Sequence, residues 1–384
     1  MILSETVRVF MRGSFESRKI SLLVLFLLFM RNTSCLVRSL QSSLKRQMSM
    51  SSADNSFPSR TQGFFCDTPL ISLPTPSSSS SSPLPSRFHL KLDNLQPSGS
   101  FKDRGISHMI YKTAQENKEL SLLISSSGGN AGNAVTHAGH RLGIPVKVFV
   151  PSTTKQMMID KLEAKGAEVI VAGENWNAAD AKAREAVQEA GGDRVCLYCP
   201  PFDHPLIWEG NASLMHEIAA KSDEIGQVDA IVLSVGGGGL LCGIQAGIES
   251  LGWVGKTSII AVETEGAASF AAAKKKGEIV KLDKIDSIAT SLGALAVSTQ
   301  TLKSPVNVES LVVSDSEAVE SCLKFADDYR SLVEPACGAA LTALYSPRVR
   351  DIISSRYRNI VCIVCGGSAV SLGLMSQWKH EFSL

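Results

Sequence analysis

The residue best placed to do covalent chemistry is Lys102. It follows a Pro/Ser/Gly loop in Asn94-Leu95-Gln96-Pro97-Ser98-Gly99-Ser100-Phe101-Lys102-Asp103-Arg104-Gly105. Before that loop, Phe88-His89-Leu90-Lys91-Leu92 alternates as a strand does. After it, Ile106, Met109 and Ile110 recur at helical spacing. Ser100 suits the N-cap of that helix, and Asp103, three residues on, weakly completes a capping box. Lys102 then falls in the first helical turn, where the positive end of the dipole favours the neutral amine. A neutral, desolvated lysine is the form that makes Schiff bases. A lone lysine at a helix start is more often a solvated surface charge, so its neighbours must decide.

Three further stretches place glycine, hydroxyl or thiol groups beside strands. Ser125-Ser126-Ser127-Gly128-Gly129-Asn130-Ala131-Gly132-Asn133 offers N–H groups and small hydroxyls at a helix start, which suit a carboxylate or phosphate. An ordinary turn with an N-cap has the same composition. Ser234-Val235-Gly236-Gly237-Gly238-Gly239-Leu240-Leu241-Cys242-Gly243 lets the backbone wrap a phosphate with bare N–H donors. A dinucleotide site competes, but the Gly-x-Gly-x-x-Gly spacing is not clean, and there is no Gly-Lys-Ser/Thr of a P-loop. Val364-Cys365-Gly366-Gly367-Ser368 closes the last apolar run; the alternative is a buried cysteine at a strand end.

Pro97-Ser98-Gly99-Ser100-Phe101-Lys102-Asp103-Arg104-Gly105, followed in order by these three motifs, closely resembles the fold-type II pyridoxal-phosphate enzymes, and among them the serine/threonine dehydratases. The resemblance runs from about Thr68 to the C-terminus and is poor between Ile71 and Arg87. It implies pyridoxal 5′-phosphate in Schiff base with Lys102 beside Phe101. It implies a phosphate cup of Gly236, Gly237, Gly238, Gly239 and Leu240, with Asn130 at the cofactor's 3′-oxygen and Cys365 against its pyridine nitrogen. A neutral thiol cannot hold that nitrogen protonated as a carboxylate would, which suits elimination of a β leaving group. The carboxylate of a small amino-acid substrate is implied to meet Ser127, Gly128 and Asn130. Gly128 stands where serine racemases of this fold carry a catalytic serine, which argues against racemisation and leaves room beside the substrate's β-carbon. Glu263, Ala267, Leu292 and Ala294 match a monovalent-cation site, K+ being the candidate; taken alone, Glu263 reads as a strand-end surface carboxylate. The stretches Phe202 to Gly210 and Glu334 to Ala340 also match, with turns and helix starts as their implied role.

The implied activity is β-elimination, L-serine to pyruvate and ammonia and also L-threonine to 2-oxobutanoate, by a catabolic ammonia-lyase acting as a homodimer. No regulatory domain is expected after Ser368. Two other readings stay open. One is a β-replacement enzyme such as a cysteine synthase, a group with Asn-Thr-Gly where this chain has Asn130-Ala131-Gly132. The other is a non-catalytic PLP-binding protein, against which the intact Lys102 speaks.

The elements that position these residues alternate. Apolar runs at Leu122–Ile124, Val146–Val150, Val169–Val171, Ile231–Val235, Ile259–Val262 and from Ile360 are separated by helical patterns, including about 155–165 and 176–189. Strand, helix, strand repeats mean parallel sheet with crossover helices. The expected fold is α/β: two doubly wound parallel-sheet domains of the tryptophan synthase β-like class, with the cofactor in the cleft between them at the carboxyl ends of the strands. The boundaries read as 55–100 plus 200–384 for the larger, cofactor-binding domain and 101–199 for the smaller. Residues 1–54 read as a leader, rich in Ser and Arg, whose apolar run Ile20 to Met30 is too short to span a bilayer. That leader is a signal h-region, part of a mitochondrial presequence, or sequence upstream of a true start at Met48 or Met50. Residues 77–82 form a serine tract.

With 38 basic and 37 acidic residues the net charge is +1, which points away from nucleic acid as partner. Nine cysteines, an odd number, make a disulfide framework an unsuitable reading, and with it secretion; a cytoplasmic or mitochondrial enzyme fits. The pairs Cys196/Cys199 and Cys362/Cys365 lie in strand-like runs, where residues three apart face opposite sides and cannot readily share a metal.

Overall fold

The computed structural model describes residues 63–74, 85–190 and 195–384. The expected leader 1–54 and the serine tract 77–82 lie outside the described residues. In chain order the elements are β1 (Leu70–Ser72), β2 (Arg87–Lys91), α1 (Lys102–Glu116), β3 (Leu120–Ser125), α2 (Asn130–Leu142), β4 (Val146–Val150), α3 (Gln156–Glu163), β5 (Glu168–Val171), α4 (Trp176–Ala190) and β6 (Val195–Tyr198). There follow α5 (Pro205–Ala220), α6 (Ser222–Ile225), β7 (Ala230–Ser234), α7 (Gly239–Ser250), β8 (Ser258–Thr264), α8 (Ser269–Lys276), β9 (Val308–Val313), α9 (Asp315–Tyr329), α10 (Pro335–Tyr345), α11 (Pro347–Ser354), β10 (Asn359–Ile363) and α12 (Leu372–Glu381).

These strands make two sheets. One has six strands in the order β1-β2-β10-β7-β8-β9, and the other four in the order β5-β4-β3-β6. Every pairing is parallel except β1 with β2. Helices cover both faces of the central strands, so β7 and β10 are buried along their whole length and read as unbroken apolar runs. The strand β1 was not foreseen. Its three residues are too few to show a period, and only pairing with Leu90 and its neighbours reveals them.

Helix α5 crosses α1 closely. A Cβ on Gly210 would lie 2.4 Å from the carbonyl oxygen of Arg104, and one on Gly105 would lie 2.5 Å from that of Ile207. Only two glycines allow this approach. Beneath the crossing lies a buried ionic knot. Arg104, fully buried, gives its Nε to Asp93 Oδ2 at 2.6 Å and its Nη1 to Glu217 Oε1 at 2.6 Å. Its Nη2 donates to Asp93 Oδ1 at 2.8 Å, and Lys91 completes the knot against Glu217. Two carboxylates and two cations thus tie β2, α1 and α5 together immediately below Lys102.

Candidate active site

Lys102 is the first residue of α1, as its spacing predicts, but the cap differs from expectation. Phe101 occupies the N-cap position with no side-chain cap bond, and Ser100 Oγ has no partner. Asp103 reaches back past Ser100 and accepts the Ser98 N–H at 2.6 Å. The reason is that Ser100 already belongs to another pairing: it bridges Gly366 in antiparallel fashion, while Phe101 N–H donates to Cys365 O at 3.1 Å and Gly367 N–H to Gly99 O at 2.9 Å. The loop before Lys102 is thereby zipped to the segment after β10, and Lys102 and Cys365 share one wall.

That wall faces a cavity with an empty volume of about 530 Å³, counting its mouth. It is lined by Ser100 to Lys102, Asn130, Phe202, Ser234 to Leu241, Ser291, Leu292, Glu334, Ala336, Cys365 and Gly366. Much of this wall follows the carboxyl ends of β3, β6, β7 and β10, the place where open parallel sheets bind ligands. The tetraglycine forms one side. Gly238 has φ +91°, and a Cβ on Gly237 would strike the Phe202 ring at 2.4 Å, so the loop can fold this tightly only as glycine. The N–H groups that open α7 have no intrahelical acceptor and suit an anion.

Lys102 Nζ donates to Pro201 O at 2.5 Å and stands 5.3 Å from the Phe101 ring centre. Desolvation pulls its pKa from 10.5 down to about 8. The Cys365 thiol is itself pushed well above its ordinary value by its hydrogen bond with Cys337 and by burial, and so stays neutral. Cys362, by contrast, points its thiol at Ala340 O, so the two thiols of this pair have different surroundings. Asn130 donates from Nδ2 to Glu334 and accepts at Oδ1 from Ser368 N–H at 2.8 Å.

Lys102, Phe101, Asn130, Gly236, Gly237, Gly238, Gly239, Leu240 and Cys365 therefore converge on one cavity. Ser127 and Gly128 do not line it. A Cβ on Gly128 would meet Thr154 Cγ2 and Val150 Cγ1 at 3.0 Å, so glycine there relieves packing against β4 and does not widen the cavity. Glu263 is buried, not a surface group: its oxygens accept the N–H groups of Phe270 and Ala271 at 2.8 and 2.7 Å and cap α8. Burial raises its pKa to about 7 against the pull of those two bonds. Ala267 is buried in the turn that precedes α8, Leu292 lines the cavity, and Ala294 N–H donates to Leu292 O at 2.7 Å. Glu334, Ser291, Phe202 and Pro201 reach the site although turns and helix starts were the role expected of Phe202 and Glu334. Glu334-Pro335 carries a helix-start signal, which accounts for the residue before its side chain is considered; Ser291 carries no signal at all.

Residues 62–366 match the family described as pyridoxal-phosphate dependent enzyme. A human protein named L-serine dehydratase/L-threonine deaminase is 43% identical over 305 residues, 77% of this chain and 90% of its own length. A catabolic L-serine/threonine dehydratase of Saccharomyces cerevisiae is 41% identical over 299 residues, 74% of this chain and 83% of its own. Among solved structures, a fungal L-serine ammonia-lyase from Rhizomucor miehei superposes with a TM-score of 0.74 at 32% identity, covering 83% of this chain and 99% of that one.

Proposed function

The chain belongs to the pyridoxal-phosphate dependent enzymes, and from that premise we propose that it converts L-serine to pyruvate and ammonia by β-elimination. The observation that carries this reading is Lys102, a half-buried lysine whose amine is desolvated at a helix N-terminus inside a glycine-walled cavity. The residues present fit the cofactor. Lys102 would hold it covalently, the amides from Gly236 to Leu240 would take its phosphate, Asn130 its ring oxygen, and the neutral Cys365 thiol its ring nitrogen. When bound, the group supplies an electron sink for the α-carbon of an amino acid.

The chain does the rest. With a pKa near 8, Lys102 Nζ is neutral in a useful fraction at physiological pH and can take the α-proton. The Cys365 thiol places no charge at the ring nitrogen, which favours departure of the β-hydroxyl over a long-lived carbanion. Phe202 and Leu241 give the cavity an apolar wall beside the tetraglycine. The loop from Ser127 to Asn130 is proposed to receive the substrate carboxylate, a role its N–H groups suit; of this loop Asn130 lines the cavity, and the substrate would have to reach beyond that wall to meet Ser127 and Gly128. Threonine adds one methyl, worth about 1–3 kcal/mol in such a pocket, so L-threonine should turn over within about a hundredfold of L-serine. The same reading includes a homodimer and a K+ near Glu263, Ala267, Leu292 and Ala294, where Glu263 would have to share oxygens it already gives to α8. Among the described residues no helix is long and apolar enough to cross a membrane.

Purified protein loaded with pyridoxal 5′-phosphate should release pyruvate from L-serine with negligible D-serine by chiral chromatography. Lys102→Ala should abolish both borohydride-reducible cofactor and turnover. Cysteine formed from an activated serine and sulfide, in place of pyruvate, would favour β-replacement and overturn the reading.

A further inference from the structure

We infer that Glu334 is a positioning residue for this site: its buried carboxylate holds the side-chain amide of Asn130 in the one orientation from which that amide donates into the cavity. The inference rests on the functional reading above. Among the residues lining the cavity, Lys102 and Glu334 are the two with ionisable acid or base side chains apart from the Cys365 thiol. Glu334 is only 3% exposed. Its Oε1 accepts the Ala369 N–H at 2.7 Å, its Oε2 accepts the Ser291 hydroxyl, and both oxygens lie within 3.1 and 3.2 Å of Asn130 Nδ2. Every partner is a donor, so both oxygens of the group are engaged as acceptors.

The other end of the Asn130 amide is fixed in the complementary sense. Its Oδ1 accepts from the Ser368 backbone N–H at 2.8 Å and from the Ser368 hydroxyl at 3.0 Å. Turning the amide over would set its N–H groups against two donors and its oxygen against a carboxylate. Nδ2 carries two N–H bonds, and the carboxylate engages one. The other has only the distant Ser291 Oγ, at 3.4 Å, and is available to a ligand.

The arrangement also joins the two sheets. Asn130 begins the helix after β3 of the four-stranded sheet, while Ser291, Glu334 and Ser368–Ala369 follow strands of the six-stranded one. Its close packing needs Gly367, at φ +125°, where a Cβ would fall 2.3 Å from Glu334 Cδ.

The test is cofactor affinity of the apoprotein, titrated with pyridoxal 5′-phosphate and followed by tryptophan fluorescence, with kinetics on L-serine alongside. Glu334→Ala should weaken cofactor binding about 10- to 100-fold, the worth of a hydrogen bond to a charged group. Glu334→Gln should stay within about threefold of wild type, because its oxygen keeps Ala369 and Asn130 while the Ser291 hydroxyl turns to accept. If Glu334 acts through Asn130, the double variant Glu334→Ala/Asn130→Ala binds no more weakly than Asn130→Ala alone. Should Glu334→Ala not fold, Glu334→Asp, which keeps the charge but draws the oxygens back, is expected to weaken binding in the same cycle. Additive losses in the double variant, or wild-type affinity in Glu334→Ala, would overturn the inference. Equal losses in the Gln and Ala variants would overturn it too. A wild-type chain that takes up no cofactor would instead overturn the functional reading on which it rests.

Discussion

A lysine amine desolvated without a carboxylate at hand becomes a nucleophile near neutral pH, and Lys102 is in that position. Its nearest polar partner is a carbonyl oxygen, which cannot hold the proton on as a carboxylate would. With a folded pKa of about 8 against 10.5 for an ordinary lysine, covalent uptake of cofactor by the apoprotein should accelerate as pH rises, with a midpoint near 8. Uptake rising only toward pH 10 would show that the amine is not desolvated. The linkage has the same sign for this group. Between about 8 and 10.5 the unfolded chain binds the Lys102 proton that the folded one has released, so Lys102 contributes stability that rises with pH across that window, read as the difference between the pH profiles of the wild-type and Lys102→Met apoproteins, because the buried thiols contribute in the opposite sense in both. At this scale the sequence was legible wherever chemistry is encoded by neighbours along the chain, as at Lys102, the tetraglycine and Cys365. It was silent on Glu334 and Ser291, because their role comes from meeting Asn130 across 204 and 161 residues. Glu263 was misread when taken alone for a related reason: nothing local says that a strand-end carboxylate will be covered by the helix it caps.

An element is useful to the site only if it is held, and α1 is held from below. Arg104 is two residues from Lys102 and makes charge-assisted bonds to both Asp93 and Glu217. Arg104→Met would leave those carboxylates buried with Lys91 alone, and removing one partner of a buried pair costs about 3–5 kcal/mol. Equilibrium denaturation of the apoprotein should show that loss; a change below about 1 kcal/mol, the worth of an exposed pair, would mean water reaches the knot. The crossing of α1 and α5 makes a second demand. Gly210→Ala forces a methyl to within 2.4 Å of the Arg104 carbonyl, and such overpacking costs about 1–3 kcal/mol. Relief requires α1 to shift, so turnover should fall by more than cofactor affinity does. Hydrophobic periodicity located α1 and most strands to within a residue or two. It could not locate β1, nor see that Ser100 is drawn away from the helix cap by Gly366, because both depend on pairing between distant segments.

At the scale of the molecule, the cavity takes walls from segments following strands of both sheets, and this shapes how the protein should respond to its cofactor. The family match begins at residue 62, and Phe64 and Phe65 are already buried, with Phe64 O against His137 Nε2 at 3.2 Å. A chain beginning at Met50 keeps those contacts and should retain cofactor and turnover; loss of both in a soluble, folded protein would show that the preceding residues belong to the site. A cofactor held as proposed, by Lys102 and the tetraglycine on one side and Asn130 on the other, would touch segments of both sheets at once. A ligand bound only to the folded state adds stability as RT ln(1 + [L]/Kd), about 2.7 kcal/mol at a hundredfold excess over Kd. If the sheets unfold together, all of that appears in one transition, which should move up by several degrees as free cofactor is raised, by the scaling of about 2–4 °C per kcal/mol for large domains. Calorimetry of the holo- and apoprotein decides the matter. Two separate transitions, of which only the one for the six-stranded sheet shifts, would mean that Asn130 and the four-stranded sheet do not share in holding the cofactor.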